Sequence, residues 1–232
     1  MSSHIIEYIF TFPGGSSHHF TVALGDDQYT APPSDTPPDW TRLEFNQCPH
    51  CPLNKETRPH CPVATTIRPM VEFASQLPSI QEVALEVRNP DRSIHLNTTA
   101  QDGFSSLLGL LIATSDCPYA IPFRPMARFH LPQPSCEETS FRAVSTYLLS
   151  QYFKYKRGGQ PDWDLHGLKE IYSNIRTVNS SLSKRLKPAV AEDAPLNAVA
   201  ILDAFALIVP MAIDDAEEEF KYLFEPTAEA AP

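Results

Sequence analysis

The cysteines are the residues of this chain whose spacing best suits a redox or metal-binding role. Cys48, Cys51 and Cys61 lie close together, Cys117 follows later, and each of these four precedes a proline. Cys48 and Cys51 form a C-P-H-C motif. Two thiols at this spacing either cycle between dithiol and disulfide or bind one metal ion.

The C-P-H-C motif is a poor match to thiol–disulfide enzymes. Those enzymes place the motif at the first turn of a helix, where the helix lowers the pKa of the first thiol. Here Pro52 follows the second cysteine, and proline has no amide hydrogen to donate inside such a helix. An oxidoreductase with Cys48 as its nucleophile is therefore the third hypothesis.

A short internal repeat links Cys61 to Cys117. Residues 61–73 read CPVATTIRPMVEF and residues 117–129 read CPYAIPFRPMARF. The Cys, Pro, Ala, Arg, Pro, Met and Phe positions coincide, which predicts that both cysteines begin copies of one local structure. We therefore expect Cys48, Cys51, Cys61 and Cys117 to bind one ion, with each thiolate about 2.3 Å from it.

The proline after each cysteine suits two kinds of metal centre. It occurs in zinc knuckles and after cysteines that bind iron–sulfur clusters. Zinc is the first expectation and an iron–sulfur cluster the alternative. His50 and His60 neighbour the proposed ligands and are substitutes in a Cys₃His site, whereas Cys136 lies at a predicted helix start and needs no partner.

Two arginines recur in the repeat, as Arg68 and Arg124. They either hydrogen-bond the metal's thiolates or an acidic ligand, or each pairs with a nearby acid while Met70 and Met126 fill the core. The second interpretation is preferred.

Hydrophobic periodicity predicts the elements that position these residues. Alternating stretches, HIIEYIFTF with HHFTVAL and EVALEV with SIHLN, predict two antiparallel hairpins. PMVEFASQL predicts a short helix that begins at Pro69, and QDGFSSLLGLLIATSD predicts another that leads to Cys117.

Three longer helices are predicted after Pro134. The first has an apolar face formed by Phe141, Val144, Leu148, Tyr152 and Tyr155, the second runs from Leu165 to Leu186, and the third follows Pro195. The prediction is an α+β fold with a cysteine-containing α+β part over residues 1–133 and a helical part of about three helices over 134–232. One continuous core remains an open alternative.

The net charge and one long apolar stretch indicate whether the protein binds nucleic acid or crosses a membrane. With 18 Lys+Arg against 28 Asp+Glu the net charge is −10, which argues against nucleic acid as a partner. Lys184, Arg185 and Lys187 are expected to complement a helix dipole. Residues 196–213 imitate a membrane span but contain Asn197 and Asp203, so a buried bundle helix is expected.

Several stretches, NQCPHCPL, HCPVA, SDCPYA, RPMARFHLP, AVSTYLLSQYF and PDWDLHGLKEIY, together resemble an uncharacterised bacterial domain family of unknown function. The resemblance implies a bacterial origin and a shared cysteine pattern, and it carries no activity. No secretory signal is recognisable at the start, so a cytoplasmic location is expected. The first functional hypothesis is a non-enzymatic, metal-stabilised binding or regulatory module with a protein partner. An electron-transfer or redox-sensing iron–sulfur protein is the alternative.

Overall fold

A four-stranded antiparallel sheet forms one side of the molecule. The structure is a computed structural model that describes residues 4–25, 36–214, 218 and 220–224. The strand order is β2-β1-β3-β4, with β1 (His4–Thr11), β2 (Ser17–Leu24), β3 (Glu82–Asn89) and β4 (Arg92–Thr99). Both predicted hairpins are confirmed, and β1 pairs with β3 to join them.

Six α-helices lie in the described part of the chain, and the mixed α+β class is confirmed. They are α1 (Pro62–Ala74), α2 (Ala100–Thr114), α3 (Arg124–Arg128), α4 (Cys136–Lys156), α5 (His166–Leu186) and α6 (Ala194–Asp214). The predicted start of α1 at Pro69 is wrong, because Pro62 already occupies the first turn and Pro69 lies inside the helix. Burial of Val63, Ile67 and Met70 offsets the backbone hydrogen bond that Pro69 cannot make.

Helix α2 approaches the sheet closely enough to require a glycine. A Cβ built on Gly103 would lie 2.7 Å from the Phe10 ring of β1, so only a residue without a side chain allows this contact. The Phe10 and Phe104 rings stack at 4.5 Å between centroids. Buried side chains of the sheet and of the helices belong to one continuous hydrophobic cluster.

Helix α4 begins as predicted but buries a different face. Ser135 and Glu138 form a reciprocal capping box at its start. The predicted apolar face is largely exposed, with Tyr152 at 47% and Tyr155 at 58%. Small and polar side chains are buried instead, because α4 packs closely on its neighbours: Thr139, Ser140, Ala143 and Gln151.

The turn between α4 and α5 is fixed by one carboxylate. Asp162 accepts hydrogen bonds from the Tyr147 hydroxyl at 2.8 Å and from the Gly167 amide at 2.7 Å. These two hydrogen bonds hold the Asp162 pKa below its usual range. The long amphipathic helix predicted after this turn is confirmed as α5, which buries Leu168, Tyr172, Ile175, Val178, Leu182 and Leu186.

Helix α6 packs against α2, α4 and α5, yet only part of its apolar surface is covered. Its most apolar window has a mean hydropathy of 2.1 and is 28% buried; Leu207 and Met211 are exposed. The helix was expected to be buried in a bundle, and the structure buries only one of its faces. By length and composition alone this helix is also long enough to cross a membrane.

Candidate functional site

The cysteines of interest lie in three loops that precede or connect the helices. Cys48 and Cys51 are the ends of a tight turn in which the Cys51 amide donates to the Cys48 carbonyl at 3.0 Å. Cys61 immediately precedes α1, and its amide donates to the Thr41 carbonyl at 2.8 Å. Cys117 follows α2 and begins a turn closed by the Ala120 amide at 2.9 Å.

The fold makes these four cysteines neighbours. The Cys48 thiol interacts electrostatically with those of Cys51 and Cys61, and the Cys117 thiol with those of Cys48 and Cys61. All five cysteines are free thiols, and Cys136 is exposed at the start of α4. Cys117 therefore interacts with two of the other three, Cys48 and Cys61.

Burial and hydrogen bonding act in opposite directions on the two most enclosed thiols. Burial raises the pKa of Cys117 to about 11, although the Tyr119 and Ala120 amides donate to its sulfur. Burial also raises the pKa of Cys48, against a hydrogen bond from the Ser181 side chain on α5. The donors already point at the sulfurs, as they would need to for thiolates bound to a cation.

An aromatic contact ties the C-P-H-C turn to the turn at Cys117. The His50 and Tyr119 rings stack with centroids 4.0 Å apart and an interplanar angle of 7°. The Tyr119 hydroxyl donates to the His50 carbonyl at 2.6 Å, and His50 Nε2 lies 3.1 Å from the Asn174 carbonyl of α5. Both turns are thus held against each other and against α5.

A buried arginine stands beside the thiols. Arg185 of α5 is 2% exposed and interacts electrostatically with Cys61, Cys48 and Cys51, while burial lowers its pKa. Its guanidinium donates to the carbonyls of residues 40, 42 and 43 at 3.0, 2.5 and 2.7 Å. Lys184 and Arg185 lie in the last turn of α5 as predicted, but Arg185 is buried because its position falls on the buried stripe of the helix.

The two copies of the repeat have different backbones, which corrects the expectation of one shared local structure. After Cys61 the chain enters α1 directly, whereas after Cys117 it forms a turn, a 3₁₀ segment (Ile121–Phe123) and then α3. The cause is Pro122, for which the first copy has Thr66. Proline at that position cannot donate to the carbonyl four residues earlier, and its ring collides with it.

The neighbouring thiols do not form a single-ion site. Across the described ranges, no group of three or more His, Cys, Asp or Glu side chains is placed so that it could hold a metal ion. Four thiolates about 2.3 Å from one zinc ion lie within about 4 Å of one another. The expected convergence on one ion is therefore not seen, and the ligand set itself stays a prediction.

The other candidate residues have ordinary partners. His60 Nδ1 lies 2.8 Å from the Thr41 hydroxyl. Arg68 pairs with Glu72 at 2.5 Å, and Arg124 lies 3.7 Å from Asp116. These pairs match the preferred interpretation of the two arginines.

The sequence did not identify two residues that contact the cysteine loops, Arg185 and Tyr119. Arg185 lies seven residues after the buried Val178, so helical periodicity alone could have placed it inside. No pattern in the sequence signals the His50–Tyr119 contact, because it joins segments about seventy residues apart.

Fold and site together define a mixed α+β protein whose free cysteines gather beside a buried arginine. The chain belongs to the family described as domain of unknown function DUF6901, whose model matches residues 6–225. This confirms the resemblance to a family of unknown function. No curated protein and no solved structure that was compared matches the chain.

Proposed function

We propose that Cys48, Cys51, Cys61 and Cys117 bind a metal centre that stabilises a non-enzymatic binding or regulatory module. The observation that carries this proposal is the meeting of four free thiols from three separate loops. Sulfur ligands of this number are typical of zinc and of iron–sulfur centres.

Zinc is the first candidate for this centre and an iron–sulfur cluster the alternative, because both take four cysteine ligands. A cluster holds its four cysteines farther apart than one ion does, since each thiolate binds a different iron or shares an iron with one other. The two centres therefore differ in metal, in inorganic sulfide and in colour, which elemental analysis and visible absorbance measure.

The buried guanidinium of Arg185 supports an anionic centre in either case. Four thiolates outweigh the positive charge of zinc or of a common cluster core, so the loaded centre is negative. An adjacent buried cation stabilises such a charge and raises the reduction potential of a cluster.

The thiol–disulfide alternative finds less support. The turn of Cys48 and Cys51 does not begin a helix, and burial raises the pKa of Cys48. Both features disfavour the reactive thiolate that such an enzyme requires.

A protein partner in the cytoplasm completes the proposal. The outer face of α4 exposes Leu149, Tyr152, Phe153 and Tyr155. Aromatic side chains of this kind are enriched at protein interfaces. The long helices are therefore the proposed partner surface.

The test is elemental analysis of full-length protein purified without oxygen, together with two serine variants. We expect bound zinc in the wild type, or iron with acid-labile sulfide and visible absorbance if the centre is a cluster, and loss of the metal in Cys117→Ser. Cys136→Ser is the matched control, because this exposed thiol lies outside the cluster, and it should keep the full metal content. One zinc per chain without sulfide would establish the zinc form, and a metal-free wild type would overturn the proposal.

A further inference from the structure

A cavity in the described part of the chain lies away from the cysteines. It encloses about 340 Å³ among α2, α3, α4, α5 and α6. Apolar side chains such as Leu110, Ile175, Leu202 and Phe205 form most of its wall. Its volume falls in the range of sites that bind small molecules.

One cation borders this cavity without a matching anion. Arg142 of α4 is half-buried, and Nη2 donates to the Met126 and Phe129 carbonyls at 3.0 and 2.9 Å. Among the described residues it forms no ion pair and no further hydrogen bond. Glu138 interacts with it electrostatically. This carboxylate already accepts a hydrogen bond from the Ser135 amide at the start of α4.

Burial leaves this guanidinium poorly compensated. Desolvation lowers the Arg142 pKa, and Tyr172 and Glu138 only partly oppose this effect. A cation that is partly removed from water and lacks a carboxylate gains most from an anionic ligand. The Nε and Nη1 groups of Arg142 remain as donors, so a carboxylate can accept a charge-assisted hydrogen bond from one of them, whereas a bidentate pair would require Nη2.

A second polar group in the same wall also lacks a partner. Asn179 of α5 is 2% exposed and lines the cavity, and its buried Oδ1 has no hydrogen-bond partner among the residues that the structure describes. An unpaired buried acceptor is unfavourable because it has lost its hydrogen bonds to water without gaining others. A ligand that carries an O–H or N–H donor could offset this cost.

Two of the other polar wall groups, Asp102 and His130, are occupied within the protein. Asp102 accepts from the Thr99 hydroxyl at the cap of α2 at 2.5 Å. His130 is hydrogen-bonded to the Tyr8 hydroxyl. The groups left for a ligand therefore include the Arg142 cation, the Asn179 acceptor and the Tyr172 hydroxyl, which makes no hydrogen bond to the described residues, in a mostly apolar wall.

We propose that this cavity binds an amphipathic monocarboxylic acid that also carries a hydroxyl or amide donor. The carboxylate pairs with Arg142, the donor reaches Asn179 Oδ1, and the apolar chain packs on the wall formed by α2 and α6. This binding does not depend on a metal at the cysteines.

The test is calorimetric titration of the full chain with 3-hydroxydecanoate, decanoate, decanol and decylamine, each below its micelle concentration. We expect 3-hydroxydecanoate to bind most tightly, decanoate several-fold more weakly, and the alcohol and the amine at least tenfold more weakly than decanoate. Equal affinity for decanol and decanoate would overturn the proposal, as would preference for the amine or no binding of any of the four.

Three variants assign the contacts. Arg142→Gln should weaken decanoate at least tenfold while leaving decanol unchanged. Arg124→Gln, which removes an exposed arginine outside the cavity, should change neither. Ala206→Phe keeps both polar groups, fills the cavity and should abolish binding even if Arg142→Gln fails to fold. Full affinity in either cavity variant would contradict the assignment.

Asn179→Leu tests the donor requirement separately. It should remove the preference for 3-hydroxydecanoate over decanoate without weakening decanoate itself. A preference that survives this substitution would show that another residue reads the hydroxyl and that Asn179 is not the acceptor.

Discussion

Two arginines on neighbouring helices occupy opposite environments. Arg185 beside the cysteines is almost fully buried, and its two terminal nitrogens donate to three backbone carbonyls. Arg142 beside the cavity is half-buried, and only one of its nitrogens donates to the described protein.

The difference separates a group that organises the protein from one that is left for a ligand. Carbonyl partners fix Arg185 to the chain that leads into the cysteine loops, so its hydrogen bonds serve the fold. Arg142 lines a mostly apolar cavity, and its Nε and Nη1 donate no hydrogen bond to the described residues. This arrangement contributes little to the stability of the fold. A binding site commonly accepts such a local loss of stability.

The largest expected effect comes from removing each arginine in turn. Arg185→Met should lower the free energy of unfolding by about 3–5 kcal/mol, because three carbonyls lose a buried charged donor. Arg142→Met should cost about 1 kcal/mol, since the desolvation of an unpaired cation disappears together with two hydrogen bonds. Urea unfolding of the purified full chain measures both values.

Arg185→Lys sharpens this first comparison. Lysine keeps the charge but cannot span three carbonyls with a planar fork, so it should restore less than half of the lost stability. Equal losses for Arg185→Met and Arg142→Met would contradict the distinction between the two environments.

The second-largest expected effect is a loss of stability at acid pH, and it is caused by His130, which lines the cavity. Burial, with a smaller contribution from Arg142, lowers the pKa of His130 from 6.5 to about 3. The folded protein therefore keeps this ring neutral while the unfolded chain protonates it below about 6.5. Stability present above that pH should fall as the pH drops towards 3, by about 1.4 kcal/mol per pH unit for one proton.

His130→Gln isolates this contribution. Burial also lowers the pKa of His4 and His18, so the informative quantity is the difference between wild type and variant from pH 6 to pH 4.5. The groups that contact or charge the His130 ring are the Tyr8 hydroxyl and Arg142. A slope that is unchanged in the variant would show that His130 is protonated in the fold.

The elements were largely predictable because each is determined by local periodicity. Alternation in EVALEV and three-and-four spacing along α5 gave the hairpin and the helix correctly. The start of α1 was missed because Pro62 and Pro69 both suit a first turn, and the choice depends on which apolar residues tertiary packing buries.

The sites were predictable only where a repeat or a motif exposed them. The internal repeat nominated Cys117 as a partner of Cys61, and the two thiols interact electrostatically. The repeat did not predict that the two copies have different backbones, because the second copy contains Pro122. The cavity beside Arg142 and Asn179 is formed by five helices at once, and no local pattern encodes such a space.

The smallest expected effect compares one tyrosine from each region. The Tyr119 hydroxyl donates to the His50 carbonyl at 2.6 Å, whereas the Tyr172 hydroxyl makes no hydrogen bond to the described residues. Tyr119→Phe should therefore cost about 1 kcal/mol, and Tyr172→Phe less than about 0.5 kcal/mol. Both variants keep the ring, so the His50 stacking and the edge contact of Tyr172 with Phe123 remain.

Thermal unfolding measured without ligand, and again with decanoate, distinguishes the regions further. Tyr172 lines the cavity near Arg142, so loss of its hydroxyl should weaken decanoate binding while hardly changing the stability of the free protein. Tyr119 lies at the cysteine loops, so its variant should lower stability equally with and without decanoate. Reversal of these two patterns would mean that the hydroxyl left free at the cavity serves the fold and not a ligand.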